Sequence, residues 1–309
     1  MKDPVLVRVR RKAASLREFA NVRGVLFFAQ RRLRSATARR RVTSVVAGFL
    51  PATIHSRQQT QEAASDLERQ GYVMLDGLLT PSMVADMRAH FAQKRVRGGY
   101  VPNAPLVSID DPDRPDTHIF PVDESDVVTC PHLLDVANHP RVLAAVEGVF
   151  GCKPTIGYMA AWWSVPTRDG VARHAENFHR DYDDINFIKL FIYLSDVDAE
   201  SGPHEFIRGS HEAPELRRIR RYTDEEVLQT FGAERVVRFT GGKGTAFLEN
   251  TMGLHRGLPV RTGKRLILQV VYSMLPMAFG PAKPYRRDLF QPAARPIDPY
   301  VNRVYVASA

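Results

Sequence analysis

From residue 155 onward the chain divides into short runs of β-branched and aromatic residues, each closed by glycine or a polar cluster. The clearest are 186–194 (NFIKLFIYL) and 265–272 (RLILQVVY). Runs of this length and composition read as buried strands. Between them, 195–203 forms a turn rich in Asp, Ser, Gly and Pro, and 241–250 is a glycine turn entering a further strand. About eight short strands preceded by helices predict a mainly β fold with flanking helices. The expected architecture is a double-stranded β-helix, a cupin-like jelly roll whose two sheets face each other.

The first half reads as helical. Helices are expected over 13–20, 23–35 and 58–69, and 45–54 reads as a short apolar connector. A strand is expected over 71–75. Thr80 is placed as an N-cap with Pro81 in the first turn of a helix reaching Lys94, and another helix runs from Pro140 to a stop at Gly151. Residues 96–130 form a long Pro/Asp-rich stretch, the kind of segment that serves as a lid or binding loop. A charged helix is expected near 223–231. The tail from Pro276 carries six prolines by Pro299 and is expected to wrap the surface without a regular core. The expected division is a basic helical extension over 1–57, a domain over 58–275 with its β core at about 155–275, and a Pro-rich tail over 276–309.

A chain of 309 residues that is 44% hydrophobic can bury a full core without disulfides. Its two cysteines, Cys130 and Cys152, are too few for a disulfide scaffold and suggest a reducing compartment. No apolar run approaches the roughly 20 residues of a membrane span. The start, MKDP, lacks the apolar stretch of a secretory signal, so a cytoplasmic location is expected. Charge is uneven. Residues 1–60 hold 14 Lys/Arg against Asp3 and Glu18, a net of +12, whereas the remainder has 29 basic and 32 acidic residues, a net of −3. With Val25, Leu26, Phe27, Phe28 and Leu33 interleaved, the extension suits an anionic membrane surface, or a solvated helical appendage. No aromatic stacking platform or nucleic-acid motif accompanies the charge, and no nucleic-acid partner is expected.

Chemistry concentrates at His179-Arg180-Asp181. On an extended segment residues i and i+2 share a face, so His179 and Asp181 project together. With one imidazole from a later strand they supply two histidines and a carboxylate, which occupy one face of an octahedral Fe(II) and leave three positions open. His174-Ala175-Glu176, five residues upstream, offers the same donor types, so spacing does not choose between the two.

Several pieces in the same order resemble the phytanoyl-CoA dioxygenase-like family of Fe(II)/2-oxoglutarate oxygenases. They are His179-Arg-Asp181, the strand end from Tyr193 to Asp198, Ser201-Gly-Pro with Gly209-Ser-His211, Gly244 with Phe247, His255 and Arg265. Upstream, 71–77 and the helix after Thr80 resemble the start of that domain, so the likeness covers about residues 60 to 275. The resemblance implies His179, Asp181 and His255 as metal ligands and Arg265 as the partner of the distal carboxylate of 2-oxoglutarate. It further implies dioxygen as co-substrate, succinate and CO2 as products, and hydroxylation of a small molecule of acyl, sugar, amino-acid-like or secondary-metabolite type. A catalytically inactive, cupin-like metal-binding barrel is the alternative. Halogenating relatives carry a small residue in place of the carboxylate; Asp181 argues against halide at the metal. Gly257 stands where a hydroxyl residue is expected two places after His255, which leaves a second contact to the 2-oxoglutarate tail unassigned.

His174, Glu176, Trp163 and Asp183 are the candidate substrate residues. Trp162 and Trp163 alternate faces on one strand, so one belongs to the core. His211 is expected to be structural, and Lys189 is expected on the outer face of its strand.

Overall fold

A computed structural model of the chain describes residues 22–308. The helix expected over 13–20 lies outside the described residues. Two helices, α1 (Val22–Gln30) and α2 (Ala36–Ala47), are held to the rest of the protein chiefly by Arg39. Its buried guanidinium donates to the carbonyls of Leu33, Gln30, Asp184 and Ile185, while Gln30 Nε2 donates to the Tyr182 carbonyl at 2.6 Å. Residues 22–47 therefore brace the loop that follows Asp181. Residues 45–47, expected in an apolar connector, are the last turn of α2.

The next helix, α3 (Arg57–Gln70), opens on a reciprocal cap between Ser56 and Gln59. It ends at Gly71, whose φ of +90° suits glycine and whose missing Cβ leaves room for the Phe206 ring. Strand β1 (Tyr72–Met74) follows. Thr80 caps α4 (Pro81–Ala92), with its hydroxyl accepting from Met83 N at 3.2 Å. The Pro/Asp-rich stretch contains β2 (Val96–Arg97), β3 (Leu106–Val107), β4 (Ile119–Pro121) and α5 (Glu124–Val128). After α6 (Leu133–Ala137), the amphipathic α7 (Pro140–Phe150) packs along α3 and stops at Gly151.

The barrel comprises β5 (Thr155–Ser164), β6 (Phe187–Tyr193), β7 (His204–Ile207), β8 (Val236–Phe239), β9 (Ala246–Glu249), β10 (His255–Gly257) and β11 (Arg265–Ser273), with α8 (Asp224–Phe231) between β7 and β8. One sheet runs β1-β9-β6-β11-β5-β4 and the other β10-β7-β8. Phe191, Tyr193, Phe247 and Ile267 of the large sheet meet Phe206 and Phe239 of the small one, and this aromatic layer fills the space between the two sheets. The opposite face of the large sheet packs on the helices through Leu190, Ile192, Leu248, Leu268 and Val270. The central strands, covered on both faces, are largely apolar, with Lys189, Arg265 and Gln269 the polar exceptions on the cavity side.

The tail departs from its expected role. Tyr305 and Val301 in the last segment, which includes α9 (Pro299–Asn302), are fully buried in the main core. Tyr305 Oη accepts from Met159 N at 2.8 Å, fastening the tail to β5. Proline spacing identified a segment without long elements but carried no signal for these apolar anchors.

Candidate active site

Antiparallel register lays out the floor of the open end in rows. Lys189, Val271 and Tyr158 lie side by side across β6, β11 and β5. Phe191, Gln269 and Ala160 form the next row, and Tyr193, Ile267 and Trp162 the one after it. Arg265 and Ser164 close the series. Apart from Val271 and Tyr193, these residues line a cavity of about 460 Å³ together with His179, Asp181 and His255. A second cavity, about 680 Å³, lies between α2 and α3 and contains none of those three residues.

His179 and His255 approach through a single antiparallel bridge, each backbone N donating to the other's carbonyl at 3.0 Å. Asp181 follows on the same extended segment, and the intervening Arg180 points away, donating to the carbonyls of Ser210, Met252, Glu215 and Leu216. The i, i+2 alternation expected from the sequence is realised without a full strand. One donor atom from each of His179, Asp181 and His255 lies within 4.8 Å of the others. His255 Nε2 is 3.2 Å from Asp181 Oδ2, and His179 Nε2 is 3.7 Å from Asp181 Oδ1.

Both imidazoles have a defined tautomer. His179 Nδ1 lies 2.9 Å from the Asn177 carbonyl and His255 Nδ1 lies 3.0 Å from that of Gly253. A carbonyl can only accept, so each Nδ1 carries the proton and each Nε2 presents a lone pair to the centre. Burial and the neighbouring His255 lower the His179 pKa to about 3, which keeps it neutral. Burial pushes Asp181 upward, but the Lys189 ammonium outweighs it and holds the carboxylate well below its ordinary range. Two neutral Nε2 atoms and one carboxylate suit a divalent metal that prefers mixed nitrogen and oxygen donors.

At the far end of the floor, Arg265 is buried. Its Nη2 donates to Ser164 Oγ at 3.1 Å, whereas Nε and Nη1 have no hydrogen-bond partner among the described residues. Two orphaned guanidinium donors on a residue lining the cavity suit a carboxylate from a bound acid. Gly257 explains its own departure from the expected hydroxyl, since a Cβ there would lie 3.3 Å from Arg265 Nη2. The hydroxyl beside the guanidinium belongs instead to Ser164 on the neighbouring strand. Only strand register could have revealed it.

Lys189 requires a correction. It does not face outward: it is buried, with Nζ 2.7 Å from Asp181 Oδ2 and 2.9 Å from Asp183 Oδ2. A lysine inside an otherwise apolar run with both faces covered has to be paired, and that signal was present in the sequence. Burial works against its charge, yet the two carboxylates hold its pKa above the ordinary lysine range. Asp183, expected to meet substrate, is occupied by this ion pair and does not line the cavity. Trp163 is likewise corrected. It is buried in the main core, and Trp162 lines the cavity.

His174 is exposed and stacks on Tyr100 with ring centroids 3.9 Å apart, while Ala175 and Glu176 line the cavity rim. Tyr100 and His118, from the Pro/Asp-rich stretch, also line it, so that stretch roofs the site. His204 stacks beside His255 with centroids 5.6 Å apart, and burial lowers its pKa to about 3. Behind it, Glu249 Oε2 lies 2.9 Å from His204 Nε2 without hydrogen-bond alignment, and burial raises the Glu249 carboxyl to about 8. His211 is structural as expected, with Nε2 2.9 Å from the Glu68 carbonyl.

Residues 67–266 match the sequence profile of the phytanoyl-CoA dioxygenase (PhyH) family. The chain belongs to this family. It is accordingly an Fe(II)- and 2-oxoglutarate-dependent enzyme of jelly-roll fold. Among solved structures it resembles EctD from S. alaskensis, determined with 2-oxoglutarate and 5-hydroxyectoine. The identity is 19%, the TM-score 0.51, and 83% of this chain and 89% of that one are covered. It also resembles the non-heme α-ketoglutarate-dependent epimerase SnoN from nogalamycin biosynthesis (18% identity, TM-score 0.49, 70% of this chain and 81% of that one). A third is HygX from Streptomyces hygroscopicus with nickel, 2-oxoglutarate and hygromycin B (17% identity, TM-score 0.46, 71% and 87%). Likeness at these identities is one of fold. No curated protein sequence matches the chain.

Proposed function

We propose that this family member hydroxylates a small-molecule substrate, with His179, Asp181 and His255 holding Fe(II) and Arg265 holding the distal carboxylate of 2-oxoglutarate. The observation that carries the reading is the convergence of three donor atoms within 4.8 Å, in the same cavity as a buried arginine with two unpartnered nitrogens. The metal and 2-oxoglutarate would supply oxygen activation, coupled to loss of CO2 and formation of succinate. The protein's own residues set the geometry. The Asn177 and Gly253 carbonyls orient the imidazoles, Lys189 fixes Asp181, Arg265 and Ser164 fix the far end of the acid, and Tyr100 and His118 cover the mouth. Asp181 fills the position a halide would need, which favours hydroxylation. The test is metal-dependent succinate formation by anaerobically iron-loaded protein across a substrate panel, with His179→Ala and Arg265→Ala as controls. Uncompromised succinate formation in both variants would refute the assignment.

The N-terminal helices support a second contact. Val22, Val25, Leu26 and Phe28 on α1 are exposed, next to a basic segment. We propose that this face meets an anionic membrane surface, an attraction that salt would screen. Among the described residues no helix is long and apolar enough to cross a membrane.

A further inference from the structure

We infer that the substrate carries a cationic nitrogen recognised by Glu124; this rests on the cavity being the active site proposed above. Glu124 opens α5 and lines the same cavity as His179 and Asp181. Two phenols from the C-terminal tail fix its carboxylate, Tyr305 Oη donating to Oε1 at 2.9 Å and Tyr285 Oη donating to Oε2 at 3.1 Å. Among the described residues it has no Lys, Arg or His partner, so its negative charge is uncompensated. The other charges of the cavity are committed. Asp181 is paired with Lys189, and Glu176 lies within electrostatic reach of Arg265 at the co-substrate end. Arg221 stands exposed at the mouth.

Position supports the assignment. Tyr158 lies in the row of Lys189, and its phenol is within electrostatic reach of both Lys189 and Glu124. Glu124 thus stands at the Tyr158 end of the floor, away from Arg265, where substrate has room once 2-oxoglutarate occupies the other end. Tyr158 and Trp162 add aromatic surface to the same wall, which favours a cation further. A carboxylate oriented by neutral donors in a cavity recognises ammonium far better than a neutral isostere.

The test uses the full-length chain, loaded anaerobically with Fe(II) and 2-oxoglutarate and titrated with hexylammonium or with hexan-1-ol. Emission from the two tryptophans, of which Trp162 lines the cavity, reports occupancy. Hexylammonium should bind about tenfold or more tighter than the alcohol, and Glu124→Gln should abolish that preference while leaving hexanol binding unchanged. Equal binding of the two probes, no response to hexylammonium, or a preference that survives Glu124→Gln would overturn the inference. If Glu124→Gln does not fold, the wild-type comparison decides alone. Absence of the visible absorption band of an iron–2-oxoglutarate complex would instead count against the proposed function, since the emission readout does not depend on that band.

Discussion

Lys189 Nζ sits 2.7 Å from Asp181 Oδ2, the carboxylate that completes the donor cluster with His179 and His255. An ammonium at that distance holds the carboxylate ionised and in one orientation before any metal arrives. It also holds Asp183, so two half-buried acids share one cation. Removing the lysine should therefore be felt first in the metal-free protein. Lys189→Met should lower its stability by about 3–5 kcal/mol, the scale of leaving buried charge unpaired. Adding Ni(II) should then raise the melting temperature of the variant more than that of the wild type. Equal metal-induced shifts would show that Lys189 does not restrain Asp181.

Metal content tests the donor set directly. His179→Ala and His255→Ala should each lose bound iron on purification, measured by elemental analysis. Wild-type stoichiometry in both would move attention to His174 and Glu176. With Asp181 intact, turnover in chloride should yield no chlorinated product by mass spectrometry.

Arg265→Ala should weaken 2-oxoglutarate binding by about 2–4 kcal/mol with iron content largely unchanged. Ser164→Ala should have a smaller effect, about 0.5–1.5 kcal/mol, because it removes a neutral hydrogen bond. Isothermal titration of the metal-loaded protein measures both. A larger loss at Ser164 than at Arg265 would reverse their roles.

Glu249 gives a pH signature. Burial raises its carboxyl from 4.5 to about 8, so the folded state binds the proton more tightly than the unfolded chain. The sign follows from linkage. Its contribution to stability is most favourable below about 4.5 and declines as pH rises towards 8. Glu249→Gln should therefore be more stable than wild type at pH 8, with the advantage vanishing near pH 4.5. Melting curves across that range decide it; an advantage independent of pH would contradict the assignment.

Arg39 tests whether the N-terminal helices are separable. Arg39→Ala strips charged donors from buried carbonyls, including those of Asp184 and Ile185, and should destabilise the protein by about 2–4 kcal/mol. A chain starting near Gln58 should lose stability at the loop after Asp181. Wild-type melting in both would show that these helices can be removed without cost to the barrel.

What was legible in the sequence followed from periodicity and spacing. His179 and Asp181 share a face because alternation is a property of extended backbone, and β6 and β11 are mostly apolar because both faces are covered. The cap at Thr80 marks a helix start by local chemistry. What escaped depends on which strands become neighbours. Ser164 meets Arg265 only through the β5–β11 register, and Glu124 meets the tail phenols across more than 150 residues. Lys189 was placed on the outer face of its strand, whereas that face packs on the helices and Lys189 lies on the Phe191 side, beside Asp181. The N-terminal charge excess did not disclose that Arg39 would be buried.

Trp162 lines the cavity and Trp163 the core because they are adjacent on β5, and that has a consequence for how such a protein can diversify. One residue gained or lost between Ala160 and Trp162, with Tyr158 and Ala160 held in register, would exchange the two tryptophans. The wall therefore tolerates replacement but not change of length. The roof over 96–118, before β4 joins the large sheet, has no such parity to protect, since β2 and β3 pair only with each other and the rest of that span is turns and loops. New substrate shapes are thus accommodated most readily by lengthening or trimming the roof, over a floor whose reading frame stays fixed.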